Sequence, residues 1–393
     1  MTDQRPTVLI IGGGAAGHAC ASALRREGFD GEVTVVHGEE GPPINRTLVD
    51  KGVLPGLLDR DQIALPPVEG VEVLRSRAER LEAAEAAVVL ADGRRMRADA
   101  LVLACGSAPR PLDARIPVDP AARLHRLHGA ADAVALREAV PDPDGRRIAV
   151  LGAGFIGSEL ATHYAGAGAE VVLVGRSELP MRAAVGSLVA ARLAELHRAR
   201  VDARLGVDVA AILVDDATGR TVIELADGSA IDVDAVVVAQ GSDPASAWAG
   251  WPDGIPVDDR LRAADRAGVY AAGGSALLDL GGARTRIDHW DAAVAQGAHA
   301  ARAVLHDFGA GEDPGPYLPR SGFTLMAHGS VIGGRGVLLP GGEERAFAGD
   351  EAQLPDGALL AECLAADGSL TALAGFDAGA ALVREAARLF ERA

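Results

Sequence analysis

The sequence predicts an α/β protein with two Rossmann-like dinucleotide-binding domains, the second inserted in the first, and a small α+β C-terminal interface domain. Three observations predict this fold. A unit of strand, glycine loop, helix and strand lies near the N-terminus and recurs 140 residues later. A second pair of segments also repeats between the two halves. A short apolar segment near residue 270, which runs into glycines as the first strand does, follows the second half and completes the first domain.

The first nucleotide-binding unit opens with a predicted strand over 7–11. The loop GGGAAG follows, then a helix over 17–27, a strand over 32–36 and an acidic residue. In a G-x-G-x-x-G loop the first glycine permits a tight turn, the second lets the backbone approach a pyrophosphate, and the third lets helix and strand pack closely. The helix N-terminus attracts phosphate, and the acidic residue binds ribose. The residues predicted to bind a dinucleotide here are Gly12, Gly14, Ala15, Ala16, Gly17 and Glu39.

The second unit has the same order of elements. A strand over 147–151 precedes the loop GAGFIG, a helix over 158–167 and a strand over 170–174. The loop residues predicted to bind the second dinucleotide are Gly152, Gly154, Phe155, Ile156 and Gly157. Where units that prefer NADH carry Glu or Asp after the second strand, this chain has Gly175 and then Arg176. Because arginine binds phosphate and a carboxylate repels it, Arg176 favours NADPH over NADH. The alternative is that the nearby Glu178 rotates in and binds the ribose of NADH.

A further repeat supports duplication of one ancestral unit. Residues 90–106 and 225–241 are identical at nine of 17 aligned positions. Each copy predicts a strand that ends in an Asp-Gly turn, a polar segment, and a buried strand that ends in Ala-x-Gly. Two related dinucleotide sites in one enzyme indicate a flavin and a nicotinamide coenzyme brought face to face.

The predicted domain boundaries follow from these repeats. Segments over 268–274 and 291–305 complete the first domain, which takes residues 1–115 and 245–315. Residues 116–244 form the second domain, and residues 316–393 form the C-terminal domain. The last region predicts strands around 323–326 and 358–363 and an amphipathic helix over 378–392.

Composition excludes several classes of protein. Of 393 residues, 49% are hydrophobic and 24% are charged, as in globular domains. The net charge of −17 argues against a nucleic-acid partner. The sequence has no apolar run of membrane-spanning length, and its three cysteines lack C-x-x-C spacing. We expect a cytoplasmic protein with reduced thiols, no membrane association and no metal site.

Lys51 is the one lysine among 38 basic residues. A coding bias toward arginine replaces lysine wherever arginine can serve, so the surviving lysine is a candidate for a role that arginine cannot fill. Lysine differs from arginine in being a compact charge with a movable pKa. The alternative is that Lys51 survived by chance.

Five segments carry distinctive residues: NRTLVDK at 45–51, LVLACGSAP at 101–109, GFIGSE at 154–159, GVYAAGG at 268–274 and DHW at 288–290. They resemble, in order, the R-P-P-L-S-K, A-T-G-S-x-P, G-F-I-G-x-E, G-V-Y-A-A-G-D and E-H-W segments of the FAD-dependent, NAD(P)H-dependent ferredoxin reductases of the putidaredoxin and rubredoxin reductase type. That group lies within the glutathione-reductase-like flavoproteins. The resemblance covers roughly residues 5–310.

This resemblance implies an oxidoreductase that binds FAD and NAD(P)H and passes electrons to an external acceptor, with a small iron–sulfur ferredoxin favoured. It implies that Lys51 and Glu159 approach each other beside the flavin and act in catalysis. A homodimer is left open. The further cofactor-binding residues that we predict are Arg46, Lys51, Cys105, Gly106, His128, Glu159, Gly241, Gly273, Gly274 and Trp290.

Several departures from the family cluster at the flavin. Gly274 replaces an aspartate that binds the ribityl chain, Cys105 replaces a threonine, His128 replaces an arginine, and the aromatic F-W-S segment is missing. Two alternatives therefore remain: a degenerate, non-catalytic flavoprotein or scaffold, and a flavoenzyme that acts on oxygen or a small organic substrate. If the site is otherwise intact, Gly274→Asp is expected to tighten FAD binding.

Overall fold

The computed structural model describes residues 5–82, 86–347 and 354–390. The helices are α1 (Ala15–Arg26), α2 (Ala130–Ala139), α3 (Phe155–Gly166), α4 (Arg182–Arg200), α5 (Trp290–Asp307) and α6 (Gly379–Glu385). The strands before residue 150 are β1 (Thr7–Ile11), β2 (Glu32–His37), β3 (Glu72–Arg75), β4 (Ala78–Glu82), β5 (Ala87–Leu90), β6 (Arg95–Arg97), β7 (Ala100–Leu103), β8 (Ser107–Pro109), β9 (Leu124–Arg126) and β10 (Arg147–Leu151). The later strands are β11 (Glu170–Gly175), β12 (Asp202–Leu205), β13 (Val209–Val214), β14 (Thr221–Leu225), β15 (Ala230–Val233), β16 (Ala235–Val238), β17 (Ser242–Pro244), β18 (Ile255–Pro256), β19 (Val269–Ala271), β20 (Ala276–Leu280), β21 (Ala283–Thr285), β22 (Gly322–Ala327), β23 (Ser330–Gly336), β24 (Glu343–Ala346), β25 (Leu359–Leu364) and β26 (Leu370–Phe376).

The chain divides into two compact units. The first contains the described residues within 1–47, 59–108 and 242–321, and the second those within 48–58, 109–241 and 322–393. The strands of the first unit's main sheet are parallel, in the order β19-β7-β1-β2-β3. Near-continuous runs of buried residues form β1, β7 and β19, as expected for strands covered on both faces.

The main sheet of the second unit has the corresponding order, β9-β16-β10-β11-β12, and is again parallel. Residues from the C-terminal part of the chain form a separate antiparallel sheet in this unit, in the order β22-β23-β26-β25-β24. Helices α4 and α6 both pack against this sheet. We propose that residues 316–393 form a third domain, because the C-terminal residues build a sheet of their own.

The predicted duplication is present in detail. Each half carries a three-stranded antiparallel sheet, β4-β5-β6 in one and β13-β14-β15 in the other, with an Asp-Gly turn before its last strand. The Asp99 carboxylate accepts the backbone N–H of Thr7 at 2.8 Å, and the Asp234 carboxylate accepts that of Arg147 at 2.8 Å. Each aspartate thus ties the start of the central strand to the repeat segment of its own half.

Some predicted elements differ from those observed. Helices α1 and α3 begin two and three residues earlier than predicted, directly after Gly14 and Gly154. The predicted helix over 378–392 was wrong as one continuous element, because α6 ends at Glu385 and a 3-10 turn follows over Ala386–Phe390. Helix ends often tighten in this way. The last two residues of that prediction lie outside the described residues.

No helix in the described part of the chain combines the length and apolar character needed to cross a lipid bilayer.

Candidate functional site

The two glycine loops have nearly the same steric environment. Gly12 and Gly152 have φ of +109° and +117°, and a Cβ on either would lie 2.2 Å from a carbonyl oxygen at the end of the neighbouring strand. A Cβ on Gly17 or Gly157 would lie 1.8 or 1.7 Å from the carbonyl oxygen of the first glycine in its loop. Packing alone therefore requires glycine at the first and third positions.

The middle glycine of each loop is different. Among the described residues, a Cβ on Gly14 or on Gly154 would have no neighbouring atom within 4 Å. Their φ values of −68° and −84° are open to any residue. Since the protein itself leaves that space empty at a helix N-terminus, each loop fits a pyrophosphate approaching the backbone.

The other candidates of the first unit lie at the same edge of its sheet. Cys105 and Gly106 follow β7, and Gly273 and Gly274 follow β19, so three neighbouring parallel strands end in candidate residues. Ligands of parallel sheets bind at the carboxyl ends of the strands. Trp290, the first residue of α5, is half-buried. The residues present therefore fit a dinucleotide such as FAD.

Two polar candidates of this unit pair with each other. Arg46 donates a hydrogen bond from its guanidinium to the carboxylate of Glu39, which lies just beyond β2. The pair is partly exposed, so it adds little to stability. Its use is to fix the glutamate after the second strand, where a ribose-binding carboxylate is expected.

Burial makes the thiols of the first unit unreactive. It raises the pKa of Cys20 to about 12 and raises the pKa of Cys105 above its ordinary value. A thiol, not a thiolate, is therefore the neutral-pH form of both, and the thiolate is the nucleophile. Cys105 fits a packing role in its loop.

In the second unit, Lys51 and Glu159 are in contact. The Lys51 Nζ lies 2.8 Å from Glu159 Oε2 and 2.9 Å from Asp50 Oδ2. The side chains of Asp50 and Glu159 are 7% and 11% exposed, whereas that of Lys51 is 43% exposed. One lysine thus joins two largely buried carboxyl groups, and its role in catalysis stays a prediction.

The three groups shift one another's protonation. Burial alone would lower the pKa of Lys51, but its contacts with Glu159 and Asp50 raise it. Burial and the adjacent Asp50 raise the pKa of Glu159 to about 8, against the opposing effect of Lys51. Burial lowers the pKa of His163, which faces Asp50 from α3. Glu159 therefore keeps its proton to a higher pH than an ordinary carboxyl group does.

This proton makes stability depend on pH. Because the pKa of Glu159 is about 8 when folded and 4.5 otherwise, its contribution is complete below pH 4.5 and is lost as pH rises through 8. Relative to Glu159→Gln, the unmodified protein should lose on the order of 2 kcal/mol between pH 5 and 8.5, a discounted value because the exposed Lys51 can relax. Urea unfolding across this range measures it, with the exposed-site variant Glu170→Gln as control. Parallel pH profiles of the unmodified protein and the Glu159→Gln variant would contradict the assignment.

The segment that carries Lys51 is itself unusual. Residues Val49–Val53 form one turn of π-helix, a geometry often found at functional sites. Arg137 of α2 donates to the carbonyl oxygen of Val53 at 2.9 Å and so fixes the end of this turn. His128 lies just before α2, where its backbone N–H donates to the Asp132 carboxylate at 3.1 Å. The predicted His128 thus lies in the segment that leads into the helix supporting the lysine segment.

The mouth of the second nucleotide site has no carboxylate at the expected position. Gly175 ends β11, and a Cβ there would lie 3.0 Å from Leu205 and 3.1 Å from Ala153. Glu178 lies against Gly206, with its Cγ 2.8 Å from where a Cβ of that glycine would be. Arg176 and Glu178 are both exposed. The segment after β11 therefore presents one positive and one negative side chain, and the pKa of Asp113 is lowered by Arg115 and also by the Arg176 charge.

The remaining loop candidates of the second unit have mixed environments. Phe155 packs edge-on against Phe323 of β22, with ring centroids 4.9 Å apart, so it ties α3 to the C-terminal sheet. Ile156 is 38% exposed beside it. Gly241, after β16, has φ of +91° and occupies the position that Gly106 has in the first unit.

Sequence reasoning missed a polar chain behind the second loop. His197 of α4 is buried and contacts Ser158 Oγ at 3.1 Å and His328 Nε2 at 3.1 Å. Burial lowers the pKa of His197 to about 3, so the ring is neutral. The three residues come from distant parts of the chain, and no local pattern links them. Sequence reasoning also left Asp50 unassigned, although a carboxylate directly before the single lysine was a usable signal.

The chain matches the pyridine nucleotide-disulphide oxidoreductase family over residues 6–297. It is 32% identical to the 5,5'-dehydrodivanillate O-demethylase ferredoxin reductase subunit of Sphingobium sp., over 79% of this chain and 76% of that one. It is also 32% identical to the ferredoxin–NAD(+) reductase component of the p-cumate 2,3-dioxygenase system of Pseudomonas putida, over 74% and 72% of the two chains.

Among solved structures, the chain is similar to the ferredoxin reductase for the CYP199A2 system from Rhodopseudomonas palustris. The TM-score is 0.85 at 25% sequence identity, and the match covers 99% of this chain and 96% of that one.

Proposed function

The chain belongs to the pyridine nucleotide-disulphide oxidoreductase family, and we propose that it is the FAD-dependent reductase that passes electrons from NAD(P)H to a small iron–sulfur ferredoxin. The resemblance predicted from the sequence is confirmed, because the relatives are named as ferredoxin reductase components. Within this chain, the observation that carries the proposal is the presence of two complete pyrophosphate cradles, around Gly14 in the first unit and Gly154 in the second. A reductase that exchanges hydride between two dinucleotides needs both.

We assign FAD to the first unit and NAD(P)H to the second. FAD, when bound, accepts a hydride and releases its two electrons one at a time, which a nicotinamide cannot do. One NAD(P)H therefore reduces two single-electron ferredoxin clusters and releases one proton. The loop after β1 and the pair of Glu39 and Arg46 hold the first dinucleotide. The loop after β10 and Arg176 hold the second.

Lys51 and Glu159 complete the machinery. We assign to Lys51 the stabilisation of negative charge that develops as hydride arrives, because a preorganised cation is most effective where charge appears in the transition state. Asp50 and Glu159 hold its Nζ at 2.9 and 2.8 Å and so limit its freedom to rotate toward solvent. Burial raises the pKa of Glu159, so Glu159 holds Nζ with less negative charge than an ordinary carboxylate would add.

The coenzyme of the second unit is expected to be NADPH. Loss of a charge-assisted hydrogen bond costs about 1.5–3 kcal/mol, so Arg176 should give about a tenfold or greater preference for NADPH in kcat/KM. Arg176→Ala should remove most of it by raising KM for NADPH. Steady-state reduction of a dye with both coenzymes measures this, with Arg198→Ala, an exposed residue at the end of α4, as control. Equal or better use of NADH would overturn the choice of NADPH. The reductase assignment would still stand, because one relative is itself named as a ferredoxin–NAD(+) reductase component.

The function is tested on the purified protein. Flavin absorption bands should be present, should bleach on anaerobic addition of NADPH, and should return when an oxidised [2Fe–2S] ferredoxin is added. A protein that binds no flavin would favour a scaffold. Rapid reoxidation by oxygen or a small organic acceptor, with none by ferredoxin, would favour an oxidase or another flavoenzyme.

A further inference from the structure

The glycine at the end of β19 has a carboxylate beside it. A Cβ on Gly274 would lie 2.4 Å from Asp288 Oδ1 and 3.1 Å from Asp288 Cγ. Gly274 is buried, whereas the Asp288 side chain is 33% exposed. The Asp288 carboxylate thus occupies the space into which a side chain at position 274 would extend.

This carboxylate is held in place by two side chains. Its Oδ2 accepts from the hydroxyl of Ser242 and lies 3.2 Å from Nη1 of Arg286. Nη1 of Arg286 also donates to the carbonyl oxygen of Gly274 at 3.0 Å. The arginine therefore fixes Asp288 and the glycine together, and both interactions with Asp288 are made at Oδ2. The other oxygen, Oδ1, is the one that lies over Gly274.

The position relative to the pyrophosphate loop indicates what Oδ1 meets. The sheet order β19-β7-β1 puts the end of β19 two strands from the loop after β1, a lateral distance of about 10 Å at the usual strand spacing. The same spot is near the loop after β7, because a Cβ on Gly274 would lie 3.5 Å from the carbonyl carbon of Gly106. A group attached directly to a pyrophosphate bound at Gly14 reaches this distance. In a flavin dinucleotide, that group is the polyhydroxylated ribityl arm.

We propose that Asp288 binds the hydroxyl groups of the flavin's ribityl arm, and that it does so from the segment before α5 in place of a side chain at position 274. This inference rests on the proposed function, because it takes FAD as the dinucleotide of the first unit. A carboxylate is acceptor-only and suits hydroxyl donors. The arrangement also corrects the expectation for Gly274→Asp, since a second carboxylate there meets the first one and must displace it.

The test is FAD affinity, measured by fluorescence titration of apoprotein. Loss of a charge-assisted hydrogen bond gives Asp288→Ala an expected drop of about ten- to hundredfold. Gly274→Asp alone should also weaken binding. The double variant, Gly274→Asp with Asp288→Gly, moves the carboxylate to the other side of the same space and should recover at least about tenfold over Asp288→Ala. Asp279→Ala is the control, because its carboxylate accepts the N–H of Gly282 in a turn of the same unit.

A second titration, with ADP, locates the contact on the ligand. ADP has the diphosphate and the adenosine ribose but lacks the ribityl arm, so Asp288→Ala should leave its affinity within about twofold. An equal loss for ADP and FAD would place the contact on the adenosine half and overturn the inference. Unchanged FAD affinity in a folded Asp288→Ala protein would also overturn it and leave the proposed function intact. Failure of the unmodified protein to bind FAD would remove both.

Discussion

Gly154→Ala should weaken NADPH binding by about ten- to hundredfold and leave the apoprotein as stable as before. In the part of the chain that the structure describes, a methyl group on Gly154 meets no atom within 4 Å, so the substitution should leave the stability of the fold unchanged. Dinucleotide binding should weaken, because the methyl group lies where the pyrophosphate approaches the backbone. Forced contacts of this kind cost about 1–3 kcal/mol of binding free energy. Gly14→Ala should weaken FAD binding for the same reason.

Each variant also has a matched partner in the same loop. Gly157→Ala and Gly17→Ala bring a methyl group to 1.7 and 1.8 Å from a carbonyl oxygen, so they should destabilise the apoprotein by at least about 2 kcal/mol. Thermal unfolding of the four apoproteins, with calorimetric titration of FAD and NADPH, separates the two effects. Unchanged affinity for both dinucleotides in the Gly14→Ala and Gly154→Ala variants would contradict the cradle assignment. If Gly14→Ala weakened NADPH binding and Gly154→Ala weakened FAD binding, the assignment of FAD to the first unit would be contradicted.

The symmetry behind this experiment was largely predictable. Glycine spacing and buried runs depend on local backbone geometry, so β1 and β10 were predicted with their observed bounds. The match between 90–106 and 225–241 predicted two copies of one small sheet, because an Asp-Gly turn between strands is a short-range signal. These features need no knowledge of distant contacts.

The chemistry of the sites was predictable only in part. Lys51 and Glu159 were paired through resemblance, but the part played by Asp50 depends on a π-helical turn that packs against α3. Asp288 was visible in the sequence as part of DHW, yet its position over Gly274 depends on Arg286 and Ser242. Such assignments require tertiary contacts, which the departure of one residue from a family pattern does not reveal.

Lys51→Ala should slow anaerobic reduction of the flavin by at least about tenfold, the loss expected when one transition-state charge contact is removed. FAD should stay bound, because the glycine loop after β1 and the pair of Glu39 and Arg46, to which we assign its binding, are unchanged in this variant. Stopped-flow absorbance at saturating NADPH measures the rate. Lys51→Met is the control for lost packing, because methionine keeps an unbranched stem without the charge. Its rate of flavin reduction should be as low as that of Lys51→Ala. Reduction at the unmodified rate in either variant would contradict the role of Lys51.

The pH dependence of the same rate tests the rest of the cluster. As pH rises past about 8, Glu159 loses its proton and adds a negative charge beside Lys51, so the rate of reduction should fall. Asp50 is one cause of the raised pKa, so Asp50→Asn should move this decline to lower pH. Lys51 opposes the rise, so any decline left in Lys51→Ala should move to higher pH. Asp61→Asn, on an exposed turn, should leave the profile unchanged. A merely structural role for Asp50 would change the rate without moving the pH at which it falls. If that pH is the same in Asp50→Asn as in the unmodified protein, the titrating group is not Glu159.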